Sequence, residues 1–121
     1  MERVLGIGGI FFKSKDPAAL MQWYRTHLGI EPHWDGGSAF VAKAGDMTIW
    51  SVFPSSSTHF HPSPQPFMFN FRVANLSRML DQLRALGAQV DGRTEQSEYG
   101  KFGWVMDPDG NRIELWEPPQ E

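Results

Sequence analysis

Met68-Phe69-Asn70-Phe71-Arg72-Val73-Ala74-Asn75-Leu76 decides the fold, because Gly9-Ile10-Phe11-Phe12-Lys13-Ser14-Lys15-Asp16-Pro17 has the same plan 59 residues earlier. Each run is an alternating apolar strand followed by an Asx residue and a helix, so the chain carries one unit twice. Ile10 falls on Phe69, Phe12 on Phe71, Asp16 on Asn75 and Leu20 on Met79. After a one-residue slip, Leu28-Gly29 falls on Leu86-Gly87. Few pairs are identical; what repeats is the order of strand, cap, helix, glycine stop and strands.

The local chemistry supports each element. Asp16 suits an N-cap, since its carboxylate can accept from the free amides of the first turn, and Pro17 sits where a missing N–H costs nothing. Leu20, Tyr24 and Leu28 form one apolar stripe, and Gly29 offers a left-handed stop, which predicts a helix over 17–28. A second helix is capped by Asn75, carries Leu76, Met79, Leu80, Leu83 and Leu86, and ends at Gly87. Phe67, Phe69, Phe71 and Val73 alternate with Met68, Asn70 and Arg72, a period of two that turns one row toward a helix and the other toward a cleft. Ile113 and Leu115 alternate in the same way with Arg112, Glu114 and Trp116, as do Met47, Ile49 and Phe53 with Thr48, Trp50 and Val52. Further strands are expected near 31–36, 38–43, 88–95 and 99–107. Asp35-Gly36-Gly37-Ser38 and Asp107-Pro108-Asp109-Gly110-Asn111 read as hairpin turns. The stretch 54–66, with four prolines and five Ser/Thr, reads as a linker or exposed loop between unit one (about 1–53) and unit two (about 67–121).

Composition narrows the function. With 121 residues the chain is one domain, and 9 Phe, 5 Trp and 2 Tyr supply the bulk of a core. A net charge of −3 without any Lys/Arg cluster speaks against nucleic acid as a partner. The absence of cysteine excludes disulfides, thiolate nucleophiles and iron–sulfur clusters, and fits a cytoplasmic protein. No apolar run approaches the length of a membrane span, so no membrane partner is expected. Val4 to Phe12 reads as a strand rather than a leader, since three of its nine residues are glycine and charged residues follow.

Two βαβββ units, Lys15-Asp16-Pro17 opening the first helix, Trp23-Tyr24-Arg25-Thr26-His27-Leu28-Gly29 closing it, and Asp107-Pro108-Asp109-Gly110-Asn111-Arg112-Ile113-Glu114-Leu115 near the end together resemble the vicinal oxygen chelate superfamily. That group comprises glyoxalase I, extradiol dioxygenases, fosfomycin-modifying enzymes and bleomycin-resistance proteins. The resemblance covers nearly the whole chain and implies an α+β fold in which two βαβββ modules form curled mixed sheets around a cleft. It also implies a divalent metal held from the first and last strand of each unit. Those positions fall here on Gly9, Trp50, Met68 and Glu114, so Glu114 alone keeps a ligand. Catalytic metal sites normally need about three protein ligands, so metal-dependent catalysis is disfavoured and no cofactor is expected.

The other candidates carry alternatives. Glu114 is the one catalytic candidate, as a general base; equally it is a relic or a partner for Arg112 or Arg72. Asn70 and Arg72 on the cleft row could fix an anion or a carbonyl. Phe11, Trp50, Trp104 and Trp116 suit either a core or the lining of a pocket that also includes His33 and Met68. His59 and His61 could bind a metal but read more simply as solvated loop residues, and His27 as a favourable charge at a helix end. Three functions compete. The first is a metal-independent small-molecule binder of the bleomycin-resistance type, taking a planar or heterocyclic compound. The second is a lyase, isomerase or dioxygenase-type enzyme with Glu114 as base or metal ligand, and the third is an assembly module with a vestigial cleft. By analogy with the superfamily a homodimer is expected, with the two units paired within a chain or exchanged between chains.

Overall fold

The computed structural model describes residues 1–120. Helix α1 runs Pro17–Leu28, strand β1 Phe69–Arg72, helix α2 Leu76–Ala85, and strands β2 Gln89–Val90, β3 Glu95–Ser97, β4 Gly100–Met106 and β5 Arg112–Glu117. Both helices start as their caps dictate. Asp16 accepts from the Ala19 amide at 3.1 Å and Asn75 from the Arg78 amide at 3.0 Å. Gly29 closes α1 in the left-handed conformation at φ 70°, a backbone that residues with a Cβ rarely take. The Leu76 amide at the start of α2 is satisfied by the Glu117 carboxylate at 2.8 Å, which ties the helix to the end of β5.

The sheet runs β1-β5-β4-β2, with β3 pairing with β4 alongside β2. β1 lies parallel to β5, and β4 is antiparallel to its neighbours. One face is dry. Leu76, Leu80 and Leu83 of α2 and Leu20 and Tyr24 of α1 pack on Val105, Ile113 and Leu115, which alternate toward the helices as the period of two demands. Gly103 lets α2 approach: a Cβ there would lie 3.1 Å from a Leu80 methyl. Full burial of each such Leu or Ile contributes roughly 1.5–3 kcal/mol.

The Asp107–Asn111 turn is a closed network. Asp107 accepts from the Asp109 and Asn111 amides at 2.9 Å each and from Asn111 Nδ2 at 2.8 Å. The Tyr24 hydroxyl donates to the same carboxylate at 2.7 Å, so the turn holds α1 of the first unit against the second. Burial, then the hydrogen bond and negative charge of Asp107, push the Tyr24 phenol far above its ordinary range.

The fold class stands as expected, but the first unit lacks the strands read from its alternation. Of the segments near 4–12, 31–36, 38–43 and 47–53, only Trp34 and Gly37 bridge, closing the expected Asp35-Gly36 turn. Val4, Leu5, Phe11, Val41, Trp50 and Val52 are exposed. Alternation signals a half-buried face, but a strand exists only where a neighbour supplies the ladder. Gly6, Gly8 and Gly9 weaken the first segment and Pro32 interrupts the second. Phe12 meets Phe69 of β1 edge-on at 4.8 Å, a side-chain contact without a backbone ladder.

The segment 54–66 is irregular and mostly exposed, as expected of a linker or loop, but it is anchored at two points. Ser63 is buried and donates to the Gly110 carbonyl at 2.7 Å, and successive turns carry His59 onto the sheet, with Phe60 packed beside it. It is a strap across the face opposite the helices.

Candidate functional site

Register builds the centre of that face. β1 places Asn70 opposite Glu114 of β5, and β4 places Trp104 opposite the same Glu114. Three side chains on adjacent strands therefore stand abreast, about 4.8 Å apart from strand to strand. Asn70 Nδ2 donates to Glu114 Oε1 at 2.8 Å, and the Trp104 indole N–H donates to Oε2 at 2.9 Å. His59 reaches down from the strap, its Nε2 2.9 Å from the same Oε2. Glu114 is thus held by two fixed donors and faced by the His59 ring nitrogen, and its side chain is only 12% exposed. The carboxylate pairs with neither Arg112 nor Arg72. Arg112 binds Asp91 at 3.2 Å, and Arg72 donates to the Met47 carbonyl at 2.8 Å and faces Asp46 at 3.5 Å.

Aromatic rings enclose His59. It stacks on Phe53 with centroids 5.5 Å apart and meets Trp104 edge-on at 5.9 Å. Trp104 itself is buried, with the Arg112 guanidinium 5.0 Å from its ring centroid. Arg112 Nε is buried without a partner, so Asp91 is its main counter-charge. The Arg93 backbone N–H, donating at 2.9 Å, is the main influence holding the Asp91 carboxyl below the usual range; Arg112 adds to it and partial burial opposes it.

The next row along the face is Arg72, Trp116, Phe102 and Glu95, with Phe102 and Trp116 stacked at 6.3 Å. Over Phe102 and Glu114 opens a cavity of about 510 Å³, lined also by His59, Glu95, Gln96 and Ser97. A second, of about 700 Å³, lies between β1, α2 and the first unit; Ile10, Ile49, Met68, Asn70, Arg72 and Trp116 are among its walls.

The sequence candidates therefore divide. Asn70, Trp104 and Glu114 meet at one point, while Met68, Arg72 and Trp116 line the second cavity. Phe11 and Trp50 are exposed and line neither. His33 is outside both, its Nδ1 2.9 Å from Ser38 Oγ, whose hydroxyl donates to the Glu31 carbonyl. His27 Nδ1 lies 3.0 Å from the Trp23 carbonyl, and its ring stacks on Trp23. His61 stays exposed, but His59, read as solvated, is a member of the central cluster. Glu95, Gln96, Ser97 and Phe102 were not singled out from sequence. Phe102 shares the parity of Trp104 on β4 and could have been found that way.

The donor set does not fit a catalytic metal. Among the described residues no three His, Cys, Asp or Glu side chains gather, and His59 and Glu114 bond each other rather than opening around a shared point. Gly9 and Met68 bring no oxygen or nitrogen side chain to the expected positions, and the indole nitrogen of Trp50 is a donor only, with no lone pair free for a metal.

Residues 9–116 match the family model described as a glyoxalase-like domain. The chain belongs to the glyoxalase-like family. It is a vicinal oxygen chelate superfamily protein, and its solved neighbours share the fold. One is a glyoxylase/bleomycin resistance protein/dioxygenase domain from Frankia sp. EAN1pec, 17% identical, TM-score 0.60, covering 97% of this chain and 100% of that one. A superfamily member from Sphaerobacter thermophilus DSM 20745 is 18% identical, TM-score 0.55, covering 86% and 90%. TnmS3, an antibiotic binding protein from Streptomyces sp. CB03234, is 22% identical, TM-score 0.58, covering 87% and 88%. Among curated proteins none matches. No helix among the described residues is long and apolar enough to cross a membrane.

Proposed function

We propose that this glyoxalase-like protein binds a small planar organic molecule in the cavity beside Glu114, without a metal. The observation that carries this reading is the Glu114 carboxylate held by Asn70, Trp104 and His59 beneath an opening of about 510 Å³ in which the Phe102 and His59 rings face the polar side chains of Glu95, Gln96 and Ser97. Ligand sites combine apolar walls with a few fixed polar groups, and Phe102 with the His59–Glu114 pair supplies that combination. With Asn70 and Trp104 donating to its two oxygens and the His59 ring against it, Glu114 serves better as a scaffold for His59 than as a free base. The antibiotic-binding relative TnmS3 supports the same reading at the level of a shared fold.

Titrating the protein with planar bicyclic compounds should quench tryptophan fluorescence saturably, and no quenching by any of them would refute the proposal. Calorimetry of chelator-stripped protein with Ni²⁺, Zn²⁺, Mn²⁺ and Fe²⁺ should show no stoichiometric binding. Tight binding lost in Glu114→Ala would restore metal chemistry. The unpaired apolar segments of the first unit support a homodimer in solution, which light scattering checks directly.

A further inference from the structure

Glu114 does more than occupy the floor of the cavity: it determines which atom of His59 faces a ligand. A carboxylate accepts, and Nε2 lies 2.9 Å from Glu114 Oε2, so the tautomer that suits this contact carries its proton on Nε2. In the neutral ring Nδ1 then keeps its lone pair, and no protein group among the described residues hydrogen-bonds that atom. The ring cannot swing freely, because Phe53 lies parallel to it and Trp104 meets its edge. His59 is one-third exposed and lines the 510 Å³ cavity together with Phe102.

The surroundings weigh against a cationic ligand. Glu114 is already matched by Asn70, Trp104 and the His59 ring, and the Arg93 and Arg112 guanidinia lie 6.0 and 5.0 Å from the Trp104 ring that backs the site. They weigh against an anionic one as well, since Glu95 and Glu114 are the charged side chains of the wall. A neutral flat molecule with a donor at its rim is left.

Building on the binding reading above, we infer that the cavity selects planar aromatic hydroxyl compounds, with the ligand O–H donating to His59 Nδ1 and the ring lying along Phe102. No bond is made or broken in this step. Selectivity comes from the acceptor: a ligand lacking the donor leaves Nδ1 partly desolvated and unmatched, which costs binding.

The test compares 2-naphthol with 2-methoxynaphthalene, the same ring with its donor capped, by calorimetry and ligand-observed NMR. Wild-type protein should prefer the naphthol by about tenfold, the weight of one hydrogen bond in a partly buried site. His59→Phe, which keeps a flat ring against Phe53, should bind both compounds equally; its melting curve shows whether it folds. On the wild type alone, ¹⁵N-labelled histidine should show the His59 Nδ1 resonance moving with naphthol and staying still with the ether. Equal binding of both probes by the wild type, a preference that persists in folded His59→Phe, or an unmoved Nδ1 resonance would overturn the inference while leaving the planar-ligand reading in place. If neither compound binds, both fall.

Discussion

The two units of this chain carry similar alternation, yet one is a sheet and the other is mostly side chains looking for one. In the second unit β1, β4 and β5 share ladders and their apolar rows are sealed by α2. In the first, the buried core members are Leu20 and Tyr24 of α1, with Trp23, Leu28 and Ile30 packed against them. A helix satisfies its own backbone and needs only an apolar surface to lie on, whereas a strand must borrow its hydrogen bonds from a neighbour. Repetition in sequence therefore guarantees the helix twice and the sheet only where pairing is supplied.

The sharpest way to break this comparison is truncation on either side of it. Leu83→Ala should cost about 2–5 kcal/mol in urea unfolding because the side chain is fully buried. Ile10→Ala, at an exposed position, should stay within about 0.5 kcal/mol. Equal costs would mean that the first unit forms its own packed sheet in solution.

Asp91→Asn comes next. It strands the buried Arg112 and should cost about 2 kcal/mol at neutral pH, less than a fully buried pair because Asp91 keeps some solvent. The native carboxyl titrates below its unfolded value, so the stability it lends is present above about pH 4 and fades as pH falls through the lower native value. Acid unfolding of the variant should be correspondingly flatter.

Tyr24→Phe tests the seam between the units and should cost about 1 kcal/mol, since Asp107 keeps its other donors. The native phenol is raised, so its contribution is whole below about pH 10 and is lost as pH rises beyond that unfolded value. Alkaline unfolding should therefore begin at a higher pH in the variant. Smallest of all, Phe11→Ala should leave stability unchanged within about 0.5 kcal/mol and leave naphthol binding unaltered, because its ring is exposed and lines neither cavity.

What could be read in advance followed from local physics. Asp16-Pro17 and Gly29 bounded α1 to the residue, and the alternation around Phe69 and Ile113 assigned each side chain to its face. The same period of two put Glu114 on the face away from the helices, beside Asn70 and Trp104. The strap was missed because its prolines and serines describe a chain without regular hydrogen bonds, and nothing in composition says what such a chain will rest on. His59 acquires its meaning only from Glu114, 55 residues later. Long-range pairs between a loop and a strand leave no periodic trace.

The strap also sets an order of events. β4 and β5 are joined by the short Asp107–Asn111 turn and can zip locally, but Ser63 and His59 need the Gly110 carbonyl and the Glu114 carboxylate in place before they have anything to hold. The cavity wall should therefore assemble last and release first, so that amide exchange in residues 57–63 outruns that in β4 and β5 and the binding site is lost before the fold is.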